Sequence, residues 1–167
     1  TTDAVGTTNI DTAAMTAAVL DFNDPVTVDA STTLTGTTSV DFATTVDSVA
    51  GEANSLTVNS PLTAFHGIVG GVVAGGPLSL GTLTTDGAGT TTIDTTAVTG
   101  AVLDFNDAVV ATQDTTLTGT TSVDFAATLN SDATARDVAI NSPTTAFHGI
   151  VGGVSPLDVL TTDAAGT

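Results

Sequence analysis

The chain has 167 residues and a formal net charge of −17, with one arginine, no lysine and no cysteine. Binding to nucleic acids or to anionic membrane surfaces is excluded, since both need clustered basic side chains. A disulfide framework and thiolate chemistry are excluded as well, and the longest apolar stretch, residues 64–76, is too short to span a bilayer. Threonine makes up close to a quarter of the chain, and its β-branched side chain favours strands, so the composition predicts an all-β fold.

Two long repeats organise the chain. Four motifs of the first half return in the second half at a nearly constant offset: GTTNID (6–11, returning as GTTTID at 89–94), AVLDFND (18–24 and 101–107), TTLTGTTSVDFA (32–43 and 115–126) and TAFHGIVGG (63–71 and 145–153). Insertions and deletions between the copies fall in glycine- and proline-rich stretches, which is typical of loops. The sequence therefore predicts a first repeat at residues 1–83 and a second at residues 84–167, joined in one continuous array.

A shorter period lies inside the long one and is marked by phenylalanine. All six occur in the pattern Phe-x-x-x-Val/Leu, at similar intervals except for a middle interval about twice as long: Phe22, Phe42, Phe65, Phe105, Phe125 and Phe147. The apolar residues around them alternate with polar ones, which indicates half-buried strands. A β-sandwich would also contain such strands, but it would not explain a register of about 20 residues that places every phenylalanine equivalently.

These features predict a parallel β-solenoid, in which each turn pairs with the next at about 4.8 Å and the crossovers are right-handed. When the long middle interval is taken as two turns, with LGTLTTDGAG supplying the one that lacks phenylalanine, each repeat has four turns and the chain has about eight. The six phenylalanines are then expected to form one interrupted internal column.

His66 and His148 follow a phenylalanine and precede a glycine, at a position whose parity predicts an outward-facing side chain. Four predicted turns separate them by about 19 Å, so they cannot share one metal ion. A His-Gly pair also occurs in polygalacturonase-type β-helix enzymes, and Asp21 with Asp24 could act as paired carboxylates, which makes a carbohydrate-active enzyme the third functional hypothesis. A strongly acidic chain suits a polyanionic substrate poorly, and a catalytic site repeated at a regular period is improbable. The sequence therefore predicts no catalytic residue.

Four of the phenylalanines are preceded by aspartate: Asp21, Asp41, Asp104 and Asp124. In register, Asp21 would lie about 5 Å from Asp41, where two like charges repel by roughly 0.8 kcal/mol in water. The carboxylates either point into solvent or share a cation, and oxygen-rich sites suit Ca²⁺. The four aspartates are thus weak candidates for a calcium site in a cation-dependent binding module, and no other cofactor is expected.

The motifs GTTTIDT, TLTGTTSVDF, NSLTVNS and the joint PL-x-x-L-TTD resemble the Thr/Gly/Asp-rich repeats of giant secreted bacterial adhesins of the filamentous-haemagglutinin and autotransporter type. This resemblance implies a right-handed β-helix exported to the cell surface, and it brings no catalytic residues with it. The leading hypothesis is a non-enzymatic rod, a filament or stalk segment of an extracellular adhesin-like protein. The second is a module that binds cations or a host or matrix ligand.

The chain opens with TTDAVGTT and closes with TTDAAGT, which is the same point of the repeat. This coincidence predicts either two repeats of a longer array or a unit that stacks end to end. The expected partners are therefore neighbouring repeats or identical subunits.

Overall fold

The computed structural model describes residues 1–73 and 76–163, and within them the fold is a parallel β-solenoid of about eight turns. The predicted fold class is therefore confirmed. Residues 74 and 75, in the expected glycine-rich loop, and residues 164–167, in the closing TTDAAGT, lie outside the described part. In the described part, no helix has the length and apolar character needed to cross a membrane.

Short strands separated by tight corners make up the described residues. In chain order they are β1 (Thr8–Ile10), β2 (Ala14–Phe22), β3 (Val26–Val28), β4 (Thr32–Phe42), β5 (Val46–Ser48), β6 (Leu56–Asn59), β7 (Leu62–Phe65), β8 (Val72–Val73), β9 (Gly76–Pro77), β10 (Leu80–Thr85), β11 (Thr90–Ile93), β12 (Ala97–Phe105), β13 (Ala108–Ala111), β14 (Thr115–Phe125), β15 (Leu129–Ser131), β16 (Val138–Asn141), β17 (Thr145–Phe147) and β18 (Leu160–Thr162). Among them, only β8 and β9 pair antiparallel, in a separate two-stranded sheet.

Each turn carries three strand segments, which lie on three faces of the solenoid. Face 1 stacks β1, β3 and β5, and it continues through Val69 to the first halves of β12 and β14. Face 2 stacks the first halves of β2 and β4, then β6, β10 and the second halves of β12 and β14. Face 3 stacks the second halves of β2 and β4, then β7, β11, β13 and β15. The long strands β2, β4, β12 and β14 therefore each turn a corner and serve two faces.

One parity of side chains fills the core on all three faces. Along β4, buried residues alternate with partly exposed ones on both sides of the corner, as the period-two pattern predicts. Leu34, Val40 and Phe42 are buried there, and each contributes roughly 1.5–3 kcal/mol by leaving water. The opposite parity, largely threonine and aspartate, faces solvent.

The phenylalanine rings form two stacks of three instead of one interrupted column. Phe22, Phe42 and Phe65 stack on face 3 with ring centroids 5.2 Å apart. Phe105, Phe125 and Phe147 stack on face 2 at 5.3 Å. Above Phe65, face 3 continues with Ile93 and then Ala111, whereas Thr85 lies below Phe105 on face 2. The expectation of a single column, and with it the assignment of four whole turns to each repeat, is wrong.

The reason is the number of strand segments between Phe65 and Phe105. Five segments follow Phe65 up to Phe105 itself: Val69, β10, β11 and the two halves of β12. Two full turns would need six. LGTLTTDGAG does not supply a whole turn, since it forms most of β10 on face 2 and the corner that leads to β11 on face 3. The second repeat is therefore rotated by one face relative to the first.

Replacement of Phe42 by alanine should lower the free energy of unfolding by about 3–5 kcal/mol, because it leaves a cavity between two stacked rings. The matched variant Phe147→Ala removes a half-buried ring at the end of the other stack and should cost about 2 kcal/mol or less. Urea titrations followed by far-ultraviolet circular dichroism measure both losses. Equal losses in the two variants would contradict the burial described here.

Candidate functional site

The two histidines lie on the outside of the solenoid, directly after a phenylalanine whose ring belongs to the core. Phe65 ends β7, so the next side chain, His66, faces outward and is 40% exposed. His148 follows Phe147 at the end of β17 and is 62% exposed. Because the two phenylalanines belong to different stacks, the histidines lie on different faces, His66 on face 3 and His148 on face 2.

His66 connects three successive turns. Its Nε2 lies 3.3 Å from Oδ2 of Asp41, which belongs to the turn before. Its Nδ1 lies 2.9 Å from Oδ2 of Asp94, which directly follows β11 in the turn after. A neutral imidazole has one N–H donor, whereas the imidazolium has two and can donate to both carboxylates.

The charges at this site stabilise one another. The hydrogen bond to Asp94 raises the pKa of His66, and the negative charge of Asp41 adds to the effect against partial burial. The bond from His66 in turn lowers the pKa of Asp94, whose carboxylate also accepts hydrogen bonds from Thr112 and Gln113. The site therefore favours a protonated His66 and an ionised Asp94.

His148 has one partner where His66 has two. Its Nε2 lies 3.1 Å from Oδ2 of Asp124 in the turn before. In the described residues, no strand stacks on the other side of β17, so nothing there corresponds to Asp94. The same motif, TAFHGIVGG, thus forms two different sites, because a further turn stacks on the first copy and, within the described residues, none stacks on the second.

The glycine after each histidine has a steric reason. A Cβ on Gly67 would overlap the carbonyl group of Thr44, and a Cβ on Gly149 would overlap the carbonyl group of Ala127. Both overlaps are far inside van der Waals contact, so the backbone of the turn below admits only glycine. The packing of neighbouring turns therefore explains the glycine of each His-Gly pair.

The weak metal candidates form two separate pairs. Asp21 lies opposite Asp41 on face 3, and Asp104 lies opposite Asp124 on face 2. Asp24, the proposed acid–base partner of Asp21, is buried, and its carboxylate accepts hydrogen bonds from Thr2 and Thr8. Within residues 1–73 and 76–163, no group of three or more histidine, cysteine, aspartate or glutamate side chains is placed to hold a metal ion.

The sequence analysis missed a buried polar site that occurs once in each repeat. Asp107 is 2% exposed, and its Oδ1 accepts hydrogen bonds from the hydroxyls of Thr85 at 2.8 Å and Thr91 at 2.9 Å. Thr85 belongs to the preceding turn, and its hydroxyl and carbonyl also accept bonds from Asn106. Burial raises the pKa of the Asp107 carboxyl, against the two threonine bonds that lower it.

Asp24 has the equivalent bonds at the end of the rod. Its Oδ1 accepts hydrogen bonds from Thr2 at 2.6 Å and from Thr8 at 2.8 Å. Here the bond from Thr2 lowers the pKa more than burial raises it. In both repeats the aspartate follows Phe-Asn, and its two threonine partners precede it at the same two separations, which is a signal that the sequence contains. These sites join successive turns.

Comparison of the chain with protein-family models, with curated proteins and with solved structures finds no match. The proposed function therefore rests on the fold and on the contacts described above.

His66→Gln should destabilise the protein more at pH 5–6 than at pH 9. The raised pKa of His66 means that its bonds stabilise the fold fully below the unfolded value of about 6.5 and are lost as pH rises through the folded value. The lowered pKa of Asp94 keeps that carboxylate ionised throughout this range. Because the site is partly exposed, the pH-dependent part of the lost free energy of unfolding should be about 0.5 kcal/mol. Melting temperatures of the variant and the wild type, compared at each pH, measure it.

His148→Gln is the matched control for this series. It loses a contact with one carboxylate instead of two, so its loss of stability should be smaller than that of His66→Gln. If the melting temperatures of the wild type and His66→Gln differed by the same amount from pH 5 to pH 9, the proposed charge state of His66 would be contradicted.

Proposed function

We propose that this chain is a non-enzymatic structural rod, a filament or stalk segment of an adhesin-like protein on the outside of a bacterial cell. The observation that carries the proposal is the continuity of the stacks across the boundary of the two repeats. β10 contains the boundary and pairs in parallel with β6 of the first repeat and with β12 of the second. A repeat that joins its neighbour with unbroken strand pairing lengthens the rod without changing its cross-section.

The dimensions and the charge suit this role. About eight turns at about 4.8 Å give a rod roughly 38 Å long. Its net charge of −17 keeps the faces solvated and opposes side-by-side association. Core packing, backbone bonds and the threonine–aspartate sites all connect one turn to the next, so the rod resists extension along its axis.

The polar residues that could act in catalysis have structural partners instead. Both ring nitrogens of His66 contact aspartates, and Asp24 and Asp107 are held by threonine hydroxyls. The cation-binding hypothesis has less support than the rod, because the described residues contain no group of three or more histidine, cysteine, aspartate or glutamate side chains that could hold a metal ion.

An extracellular location is supported by the resemblance of the repeats to secreted adhesins and by the scarcity of sites for trypsin-like proteases. The chain contains no lysine and one arginine, Arg136, whose Nη2 lies 2.9 Å from Oδ2 of Asp132. A host or matrix ligand would then bind elsewhere in the parent protein or on the threonine- and aspartate-rich faces.

A tandem protein tests the proposal directly. Residues 1–167 followed immediately by a second copy of residues 8–167 place GTTNID after TTDAA, as GTTTID follows TTDGA at the inner joint. We expect small-angle scattering and electron microscopy to show one straight rod about twice as long, with an unchanged cross-section.

The control joins the same two units through a flexible Gly/Ser linker of about ten residues, which breaks the register. It should give two short rods at variable angles. The same behaviour in the directly joined protein would contradict the role of the repeat as a rod segment.

A further inference from the structure

Both ends of the described solenoid have strands with one free edge. At one end, β1 pairs with β3 and β2 pairs with β4. At the other end, β17 pairs with β14 and β18 pairs with β16. In the part of the chain that the structure describes, no second strand covers these four edges. Such edges carry unpaired backbone groups and can accept another strand.

Apolar side chains at the two ends are also incompletely covered. Met15 and Ala17 at one end, and Phe147, Val151 and Leu157 at the other, pack against the core but are only partly buried. Their exposed parts lie where a further turn would continue the core. The ends therefore offer both backbone groups and apolar surface to a partner.

The joint between the two repeats shows which surface fits such an end. There β11 stacks on β7, so that Ile93 lies opposite Phe65, and Val98 at the start of β12 lies opposite Val69. Phe65, Val69 and Val98 are all 0% exposed. The joint thus buries the residue types that the free ends leave partly exposed.

The sequences of the free ends repeat those of the joint. β17 and Val151 correspond to β7 and Val69, within the shared motif TAFHGIVGG. β1 and Met15 correspond in the same way to β11 and Val98 of the second repeat. The surface that β11 and β12 cover inside the molecule therefore recurs at one end, and the segment that covers it recurs at the other.

We propose that one end of this protein binds the opposite end of a second copy, with β1 and β2 of one copy stacked on β17 and β18 of the next. This inference rests on the proposed rod function and specifies its partner and its contact surface. Asp11, the counterpart of Asp94, would then face Nδ1 of His148 and complete the two-sided site that His66 already has.

The first three residues compete with this association. Thr2 donates its backbone N–H to the carbonyl of Asp21 and its hydroxyl to Asp24, and it accepts the backbone N–H of Asn23. Thr85 makes the corresponding side-chain bonds to Asn106 and Asp107 inside the molecule. Thr162, in the same Thr-Thr-Asp sequence, is the corresponding residue of β18. In the joined state, Thr162 of the incoming copy replaces Thr2 beside Asp24.

Deletion of residues 1–5 should therefore strengthen association. We expect the shortened chain to associate at a protein concentration roughly tenfold lower than the full chain, because no internal segment has to be displaced. Sedimentation velocity in about 0.5 M NaCl, which screens the repulsion between two copies, measures the association. Electron microscopy should show rods whose lengths are multiples of the single rod. Equal sedimentation of both proteins as monomers up to the highest soluble concentration would overturn the proposal.

Thr145→Pro tests whether the predicted edge is the one that binds. The N–H of His148 donates to the carbonyl of Phe125, so alternate N–H groups of β17 point to β14 and that of Thr145 points to the free side. Proline is tolerated at such an edge. Combined with the deletion, Thr145→Pro should leave a folded monomer, and undiminished association would overturn the proposed surface. The counterpart Thr63→Pro, inside the stack between β4 and β11, should impair folding instead.

An exchange of charges tests the polar contact. His148→Asp in the shortened chain should weaken association by roughly two- to fivefold, since it places a carboxylate opposite Asp11. Adding Asp11→His should restore it, and both positions are exposed in the monomer. Failure of the second substitution to restore association would count against this pairing.

The tandem protein separates this inference from the proposed function. A straight tandem rod together with a monomeric shortened chain would retain the rod function and overturn the association of separate copies. A flexible tandem protein would overturn the rod function itself.

Discussion

Parallel pairing between successive turns is the constraint on which the rest of this structure depends. Strands of successive turns pair in parallel at about 4.8 Å, so that side chains of one turn lie over their counterparts in the next. This arrangement stabilises columns of apolar side chains, such as the parallel rings of Phe42 and Phe65. It destabilises columns of carboxylates, because like charges are held close together.

The acidic columns are accordingly short. Asp21 and Asp41 form a row of two, and the next turn has Ala64 at that position with His66 beside it. The second repeat follows the same order, with Ala146 and His148 after two aspartates. The third turn of each repeat thus ends the row of aspartates and places a histidine beside it. This explains why the histidine recurs with the repeat.

The strand segments were predictable from the sequence, but their faces were not. Period-two alternation around Phe42 correctly separates core from surface, and the regular intervals between phenylalanines correctly indicate stacked turns. Neither signal specifies which of three faces a strand occupies, because that depends on how many residues each corner consumes. On face 3, the chain between Phe65 and Ile93 is longer than the chain between Phe22 and Phe42, although each step advances the stack by one turn.

Asp107 was missed for a related reason. Aspartate after Phe-Asn is typical of an exposed turn, and the two threonines that bind Asp107 are distant in the chain. Only the stacking of the turns brings them together. The rotation between repeats has the same origin, and it places the His66 and His148 sites on different faces of the rod.

Disulfide crosslinking measures the rotation of the second repeat most directly, and the absence of native cysteine makes it clean. Thr92 lies opposite Ala64 on face 3, and Thr84 lies opposite Thr57 on face 2. We predict that Ala64→Cys with Thr92→Cys, and Thr57→Cys with Thr84→Cys, form disulfides on mild oxidation, since paired Cα atoms lie within bridging distance. Ala64→Cys with Thr84→Cys should remain reduced. The opposite result would be a disulfide between positions 64 and 84 and none between positions 64 and 92. It would support a single phenylalanine column and contradict the rotation.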